Sequence, residues 1–150
     1  MILIHAHPAK IHDGLINAKS YPWWSELMRL LSGQHIIQIG LDDEEQLVND
    51  FRKNLKLKEI ESLLKDCYFW LSIDSFLPHL AHHLSKPGVV IWGVSDPNIF
   101  GYNENLNLLK DRKYLRKNQF GIWSEQSYVE DAFLKPQEIY EKISKIYPNL

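Results

Sequence analysis

The feature that most constrains the fold is an alternation of short apolar stretches with stretches in which apolar residues recur at helical spacing. The apolar stretches are strand-sized and bounded by polar or glycine-containing segments, as buried strands are. They run over Met1–His7, His35–Gly40, Cys67–Ile73 and Gly88–Trp92. Strands that alternate with helices form parallel sheets covered on both faces. We therefore predict a single Rossmann-like α/β domain over residues 1–150.

Capping residues and periodicity place the helices between these strands. The first begins near Pro22, ends at Gly33 and buries one face, made of Trp23, Trp24, Leu27, Leu30 and Leu31. The others are predicted from Asp42 or Asp43 through Phe51, and at Glu59–Lys65, Ser75–Leu84 and Pro136–Tyr147. Further short strands are predicted at Leu55–Leu57 and Gln119–Trp123, and a loop-rich region from Ser95 to Arg116.

Charge and cysteine content exclude several classes of function. Seventeen Lys and Arg against nineteen Asp and Glu give a net charge of −2, which does not favour nucleic acid or an anionic membrane surface as a partner. The single cysteine, Cys67, has no internal disulfide partner and fits a reducing compartment. No signal peptide or transmembrane run is visible, so we expect a cytoplasmic protein.

One junction carries the best local signal for a ligand site. The strand that ends at Ile73 is followed at once by Asp74 and Ser75, then by a helix that contains His79. A helix N-terminus presents unpaired N–H groups and a positive dipole end, and ligands of open α/β sheets bind where strands end. This arrangement predicts a phosphate-containing ligand, although Asp74 and Ser75 would also serve simply to cap the helix.

Four segments, in order, resemble a known family: IHAHPA, AKSYPWWSELMRLLSG, IIQIGLDDEE and LKEIESLLKDCYFWLSIDSFLPHLAHHLSKPGVVIWGVSDP. They are similar to the C-terminal half of glycosyltransferase family nine, the lipopolysaccharide heptosyltransferases and their relatives, which have the two-domain GT-B fold. The resemblance covers roughly residues 1 to 100. It implies a domain that holds a nucleotide-sugar donor, commonly ADP-heptose.

The resemblance also implies a donor-binding role for Lys19, Glu44, Asp74, Ser75, His79, Trp92, Gly93 and Ser95. Lys19 looks like the lysine that neutralises donor phosphate, and Glu44 like the acid that binds ribose hydroxyls. Asp74, Ser75 and His79 fall on the family's acid–hydroxyl–glycine–x–x–histidine element. The segment from Trp92 to Pro97 resembles the loop beside the nucleotide.

The chain departs from the family in two respects. Phe76 stands where the family usually has glycine, so its side chain would either narrow the approach to phosphate or stack on a ligand. The N-terminal acceptor domain of a GT-B enzyme has no counterpart here, so no catalytic residue is assigned. Sugar transfer is then expected to need a separate N-terminal-type domain or subunit.

Each of these residues also fits a role that involves no ligand, and the function has alternatives. Lys19 would also be an ordinary loop lysine, Glu44 a first-turn helix acid, and Trp92 a core residue. His79 and His83 have the i,i+4 spacing of a metal pair, but no glutamate follows His79, and we predict no metal site and no cofactor beyond the nucleotide sugar. The alternative functions are a non-catalytic protein that binds or sequesters a nucleotide, closing its crevice by oligomerisation, and a structural domain with a degenerate site.

Overall fold

The computed structural model describes residues 1–150, except for the side chain of residue 13. Its centre is a six-stranded sheet in the order β3-β2-β1-β4-β5-β6, in which every neighbouring pair is parallel. The strands are β1 (Ile2–His5), β2 (Ile36–Gly40), β3 (Asp50–Lys53), β4 (Phe69–Ile73), β5 (Val89–Trp92) and β6 (Leu106–Leu109). This confirms the predicted Rossmann-like fold.

Helices cover both faces of the sheet, as predicted. They are α1 (Trp24–Leu30), α2 (Leu57–Asp66), α3 (Phe76–His83), α4 (Pro97–Phe100) and α5 (Pro136–Ile146). Because side chains alternate along a strand, Ile2 and Ile4 of β1 join the apolar layer under α1 and α5, whereas Leu3 joins the layer under α2 and α3. No helix in the part of the chain that the structure describes is both long and apolar enough to cross a membrane.

The start of α3 agrees with the sequence prediction. Ser75 is the N-cap, and its Oγ accepts a hydrogen bond from the backbone N–H of Leu77 at 3.4 Å. In α1 the buried face is shifted from the predicted one. Met28 is buried and Leu30 is 38% exposed, because the helix begins at Trp24 and its inner face follows that residue.

The helix predicted from Asp42 or Asp43 through Phe51 is wrong. Residues 41–49 form turns and bends, and Asp50–Lys53 forms β3. Gln38, fully buried in β2, supplies the hydrogen bonds that a helix would otherwise make: its Nε2 donates to Glu45 O at 2.8 Å, and its Oε1 accepts from Leu47 N at 2.8 Å. The strand predicted at Leu55–Leu57 is also wrong, because Leu57 already begins α2.

The strand predicted at Gln119–Trp123 is wrong as well, since that segment forms turns that lead into a 3₁₀ helix at Trp123–Glu125. The last strand is β6, inside the region predicted to be loop-rich. The side chain of Gln119 explains the difference. Its Nε2 donates to Val94 O at 2.9 Å and its Oε1 accepts from Asp96 N at 2.9 Å, which fastens this segment to the end of β5 instead of to a sheet edge.

Candidate functional site

The sheet order creates a crevice between β1 and β4. From β1 the chain proceeds outward through β2 and β3 on one side, and β4 to β6 lie on the other. Loops leave the carboxyl ends of β1 and β4 in opposite directions, which is where open α/β sheets bind ligands. A cavity of about 490 Å³ opens at this point. Its lining includes His5, Gly40, Asp74 and Ser75, at or just after the carboxyl ends of β1, β2 and β4.

Lys19 and Asp74 form the charged part of the cavity. Lys19 Nζ lies 2.8 Å from Asp74 Oδ2, and the two side chains are 20% and 8% exposed. The contact is a charge pair and not an aligned hydrogen bond, since Asp74 Oδ2 has no hydrogen-bond partner among the described residues. This oxygen is buried, so the adjacent ammonium group of Lys19 is what balances its charge.

Ser75 connects the two strands that flank the crevice. Its Oγ lies 2.9 Å from His5 Nδ1 at the end of β1 and 3.0 Å from Ser72 Oγ in β4. Burial, with a smaller contribution from His7, lowers the pKa of His5 to about 4, so that this imidazole is neutral near pH 7. The crevice therefore takes its positive charge from Lys19 and not from His5.

Glu44 lies at the other end of the cavity, after β2. Its Oε2 accepts a hydrogen bond from Leu41 N at 3.0 Å and lies against Gly40, where a Cβ atom would be only 2.0 Å away. Glycine at position 40 is therefore needed for this approach. The alternative role of Glu44 as a first-turn helix acid is wrong, because residues 41–49 form no helix.

The remaining lining includes residues that the sequence analysis missed. Asn17 accepts a hydrogen bond from Lys19 N on its Oδ1 at 3.0 Å and donates from Nδ2 to Ala9 O at 2.9 Å, which shapes the turn that presents Lys19. An asparagine two residues before a candidate lysine is a local turn signal that could have found it. Trp123 has no such signal. Apolar residues complete the wall: Ile39, Leu41, Leu55, Ile60 and Phe76.

Four of the candidate residues lie away from the cavity. The side chain of His79 is exposed, and its Nδ1 lies 2.7 Å from the hydroxyl of Tyr102. Trp92 is 1% exposed and donates from Nε1 to Asn107 Oδ1 at 2.9 Å, in the core. Gly93 packs against Phe133, whose ring would be 2.5 Å from an added Cβ, and Ser95 is buried. The structure thus brings together Lys19, Glu44, Asp74 and Ser75, and separates them from the other four.

Metal-binding groups are dispersed over the described residues: no three His, Cys, Asp or Glu side chains among them are placed so that they could hold an ion. His79 and His83 occupy successive turns of α3, but His79 contacts Tyr102.

The fold and the crevice define a Rossmann-type α/β domain. Its charged crevice lies between β1 and β4, where the order of the strands reverses. The profile of glycosyltransferase family 9 (heptosyltransferase) matches residues 13–127, and the chain belongs to this family. This confirms the resemblance seen in the sequence. A search of curated proteins finds no significant match.

Solved structures share the fold. E. coli heptosyltransferase WaaC with ADP matches with a TM-score of 0.65 and 19% sequence identity, over 95% of this chain and 43% of that one. Dodecameric iron-containing heptosyltransferase TibC in complex with ADP-D-beta-D-heptose matches with a TM-score of 0.57 and 21% identity, over 90% of this chain and 35% of that one. The chain therefore spans less than half the length of either structure.

Proposed function

We propose that this chain is the donor-binding region of a family 9 glycosyltransferase and that its cleft binds a nucleotide-diphosphate sugar of the ADP-heptose kind. The observation that carries the proposal is the convergence of Lys19, Asp74 and the Ser75-capped N-terminus of α3 at the end of β4. A cation and free N–H groups suit a diphosphate, and a carboxylate in the cavity lining suits a sugar hydroxyl. The ligands named for WaaC and TibC, ADP and ADP-D-beta-D-heptose, support the same class.

The lining residues have distinct roles in this proposal. Lys19 neutralises the diphosphate, and Asp74 and Ser75 orient the sugar or the phosphate beside it. Glu44 accepts hydrogen bonds from ribose hydroxyls, and the apolar wall that includes Ile39 and Leu55 holds the base. His79, Trp92, Gly93 and Ser95 support the cleft from outside it and do not contact the ligand.

Sugar transfer needs a group that activates the acceptor, and we assign no residue of this chain to that step. The proposed partners are therefore an acceptor-binding domain of the N-terminal type or further copies of the chain, as in dodecameric TibC. A cytoplasmic location belongs to the same proposal and agrees with a chain whose single cysteine, Cys67, is free and buried.

A second candidate function is nucleotide binding without turnover. The observation that favours it is Phe76, which is 43% exposed and lines the cavity where the family usually has glycine. Such a protein would bind the same ligands and transfer nothing. Release of ADP from ADP-heptose distinguishes the two functions when it is measured with an acceptor and with the chain joined to an acceptor-binding domain of the N-terminal type.

A thermal-shift panel of ADP, UDP, GDP and CMP with their sugars tests binding. At 100 times its dissociation constant, a ligand should raise Tm by about 5–10 °C for a domain of this size. We expect the adenine compounds to give this shift in the wild type and in Lys142→Met, an exposed lysine of α5, but not in Lys19→Met. A panel in which no nucleotide raises Tm would contradict both functions.

A further inference from the structure

The lysine of the cleft has a second partner that comes from a distant part of the chain. Trp123, at the start of the 3₁₀ helix after β6, lines the cavity together with Lys19 and Asp74. Lys19 Nζ lies 4.5 Å from the centroid of the Trp123 ring, within the range of a cation–π interaction. The ammonium group is thus held between a carboxylate and an aromatic ring.

Arg116 holds the ring of Trp123. Its guanidinium carbon lies 4.2 Å from the ring, and its Nη2 donates to Ile122 O at 3.3 Å. Its Nη1 is buried, and no described residue hydrogen-bonds to it. The contact between the guanidinium group and the ring is a favourable cation–π interaction. Gly121 leaves room for it, because an added Cβ would lie 2.6 Å from Arg116 Nη2.

The segment that carries Arg116 and Trp123 is fixed to the sheet. The backbone N–H of Arg116 donates to Val94 O at 2.9 Å, just after β5. Gln119 adds hydrogen bonds to Val94 O and from Asp96 N, each at 2.9 Å. The position of the ring is therefore fixed by hydrogen bonds to the segment that follows β5, the strand next to β4 in the sheet.

We infer that Trp123 is a positioning residue for Lys19 and that Arg116 sets the position of Trp123. A free lysine side chain has high rotamer entropy, and a carboxylate alone would draw its charge away from an incoming anion. The ring restrains the ammonium group of Lys19 without neutralising its charge. The lysine side chain therefore loses less conformational entropy when phosphate binds. The inference relies on the proposed function only for the identity of the ligand, since the Lys19–Trp123 contact exists without one.

The first experiment needs no ligand. Tm is measured for Trp123→Leu, Lys19→Met and the double variant. If the two residues interact, the double variant loses less Tm than the sum of the single losses. Strictly additive losses would overturn the inference, whether or not any nucleotide binds.

The second experiment compares ADP with adenosine by calorimetry. Trp123→Leu should weaken ADP binding by roughly three- to tenfold and leave adenosine binding unchanged, since adenosine has no phosphate for Lys19. Trp123→Phe should keep most of the ADP affinity of the wild type. When Lys19→Met is already present, Trp123→Leu should cause no further loss of ADP affinity. Trp23→Leu is the matched control: it removes a cation–π pair with Lys135, at 3.6 Å, that lies outside the cavity.

The outcomes of these two experiments separate the positioning of Lys19 by Trp123 from the proposed function. Equal weakening of adenosine and ADP would mean that Trp123 supports the cleft as a whole, and would overturn its role in positioning Lys19. A wild type that binds no nucleotide but shows non-additive Tm losses would contradict the proposed function and leave the positioning of Lys19 supported.

Discussion

The carboxyl ends of β4 and β5 are neighbours in the sheet, yet one opens into a cavity and the other is covered by protein. After β4, Asp74 and Ser75 face the crevice. After β5, Ser95 and Asp96 are not part of this cavity lining, because the segment that follows β6 folds back over them and makes hydrogen bonds to Asp96 through Gln119 and Arg112.

The polar groups of the two ends also differ in how well they are paired. At the end of β5, Asp96 accepts hydrogen bonds from Arg112 at 3.0 and 2.7 Å and from Asn98 N at 2.9 Å. At the end of β4, Asp74 Oδ2 has a charged neighbour but no donor among the described residues. The end of β4 therefore keeps a cavity with a carboxylate and an ammonium group in its lining, whereas the end of β5 is closed by hydrogen bonds from residues later in the chain.

The largest expected effect is at the covered end. Trp92→Ala removes a fully buried side chain and should lower the free energy of unfolding by about 3–5 kcal/mol. Trp92 does not line the cavity, so the ADP affinity of the folded fraction should not change. Urea unfolding and calorimetry measure the two quantities.

Trp92→Phe is the control for this substitution. It keeps most of the volume and loses the hydrogen bond to Asn107, so its stability should lie between those of the wild type and Trp92→Ala. A Trp92 variant that retained its stability but lost ADP affinity would show that the end of β5 belongs to the ligand site.

The pH dependence of stability should separate the two ends. The pKa of His5, beside Ser75, is lowered from 6.5 to about 4 by burial. Between these values the unfolded chain binds a proton that the folded chain excludes, so stability is full above pH 6.5 and falls as the pH drops towards 4. The loss is about 3 kcal/mol, and His5→Gln should reduce this slope.

At the end of β5, the pH dependence of stability has the sign expected for an acid whose pKa is lowered by folding. Hydrogen bonds from Arg112, and then from Asn98 N, lower the pKa of Asp96 below its ordinary 3.8. The contribution of Asp96 to stability is complete above the pKa that this carboxyl has in the unfolded chain. It is lost only as the pH falls through the lower pKa of the folded protein. Asp96→Asn should therefore alter unfolding in acid and leave the slope between pH 6.5 and 4 unchanged. If His5→Gln and the wild type had the same slope over that interval, the assignment to His5 would be wrong.

The sequence predicted those features of the fold that depend on residues close together in the chain. Ser75 caps a helix that follows an apolar strand, and both signals lie within a few residues, so β4, α3 and the junction between them were predicted, whereas the strand order was not. The loop after β2 was not, because Gln38 replaces the expected helix with side-chain hydrogen bonds that periodicity does not reveal.

Contacts between residues far apart in the chain explain the other differences between the sequence predictions and the structure. The family resemblance implied that Trp92, Gly93 and Ser95 lie beside the ligand. They do not line the cavity, because Phe133 and Asn107, which come later in the chain, pack against Gly93 and Trp92. For the same reason Trp123 was missed: its proximity to Lys19 depends on how the segment after β6 returns to the sheet.

The smallest expected effect is at the open end. Phe76 is the first residue of α3, and its ring contacts that of His5 edge-on at 4.7 Å. Phe76→Ala loses this contact, worth about 1 kcal/mol, but alanine suits a helix, so the net loss of stability should be small.

The same substitution should enlarge the cavity beside the N-terminus of α3 and let a diphosphate approach its N–H groups, which we expect to raise ADP affinity by up to about tenfold. Phe120→Ala is the matched control, because Phe120 is 78% exposed and lies outside the cavity lining, and its ADP affinity should equal that of the wild type. A fall in ADP affinity for Phe76→Ala would instead mean that the ring stacks on the ligand. The open end of β4 would then be completed by an aromatic contact, and not narrowed by one.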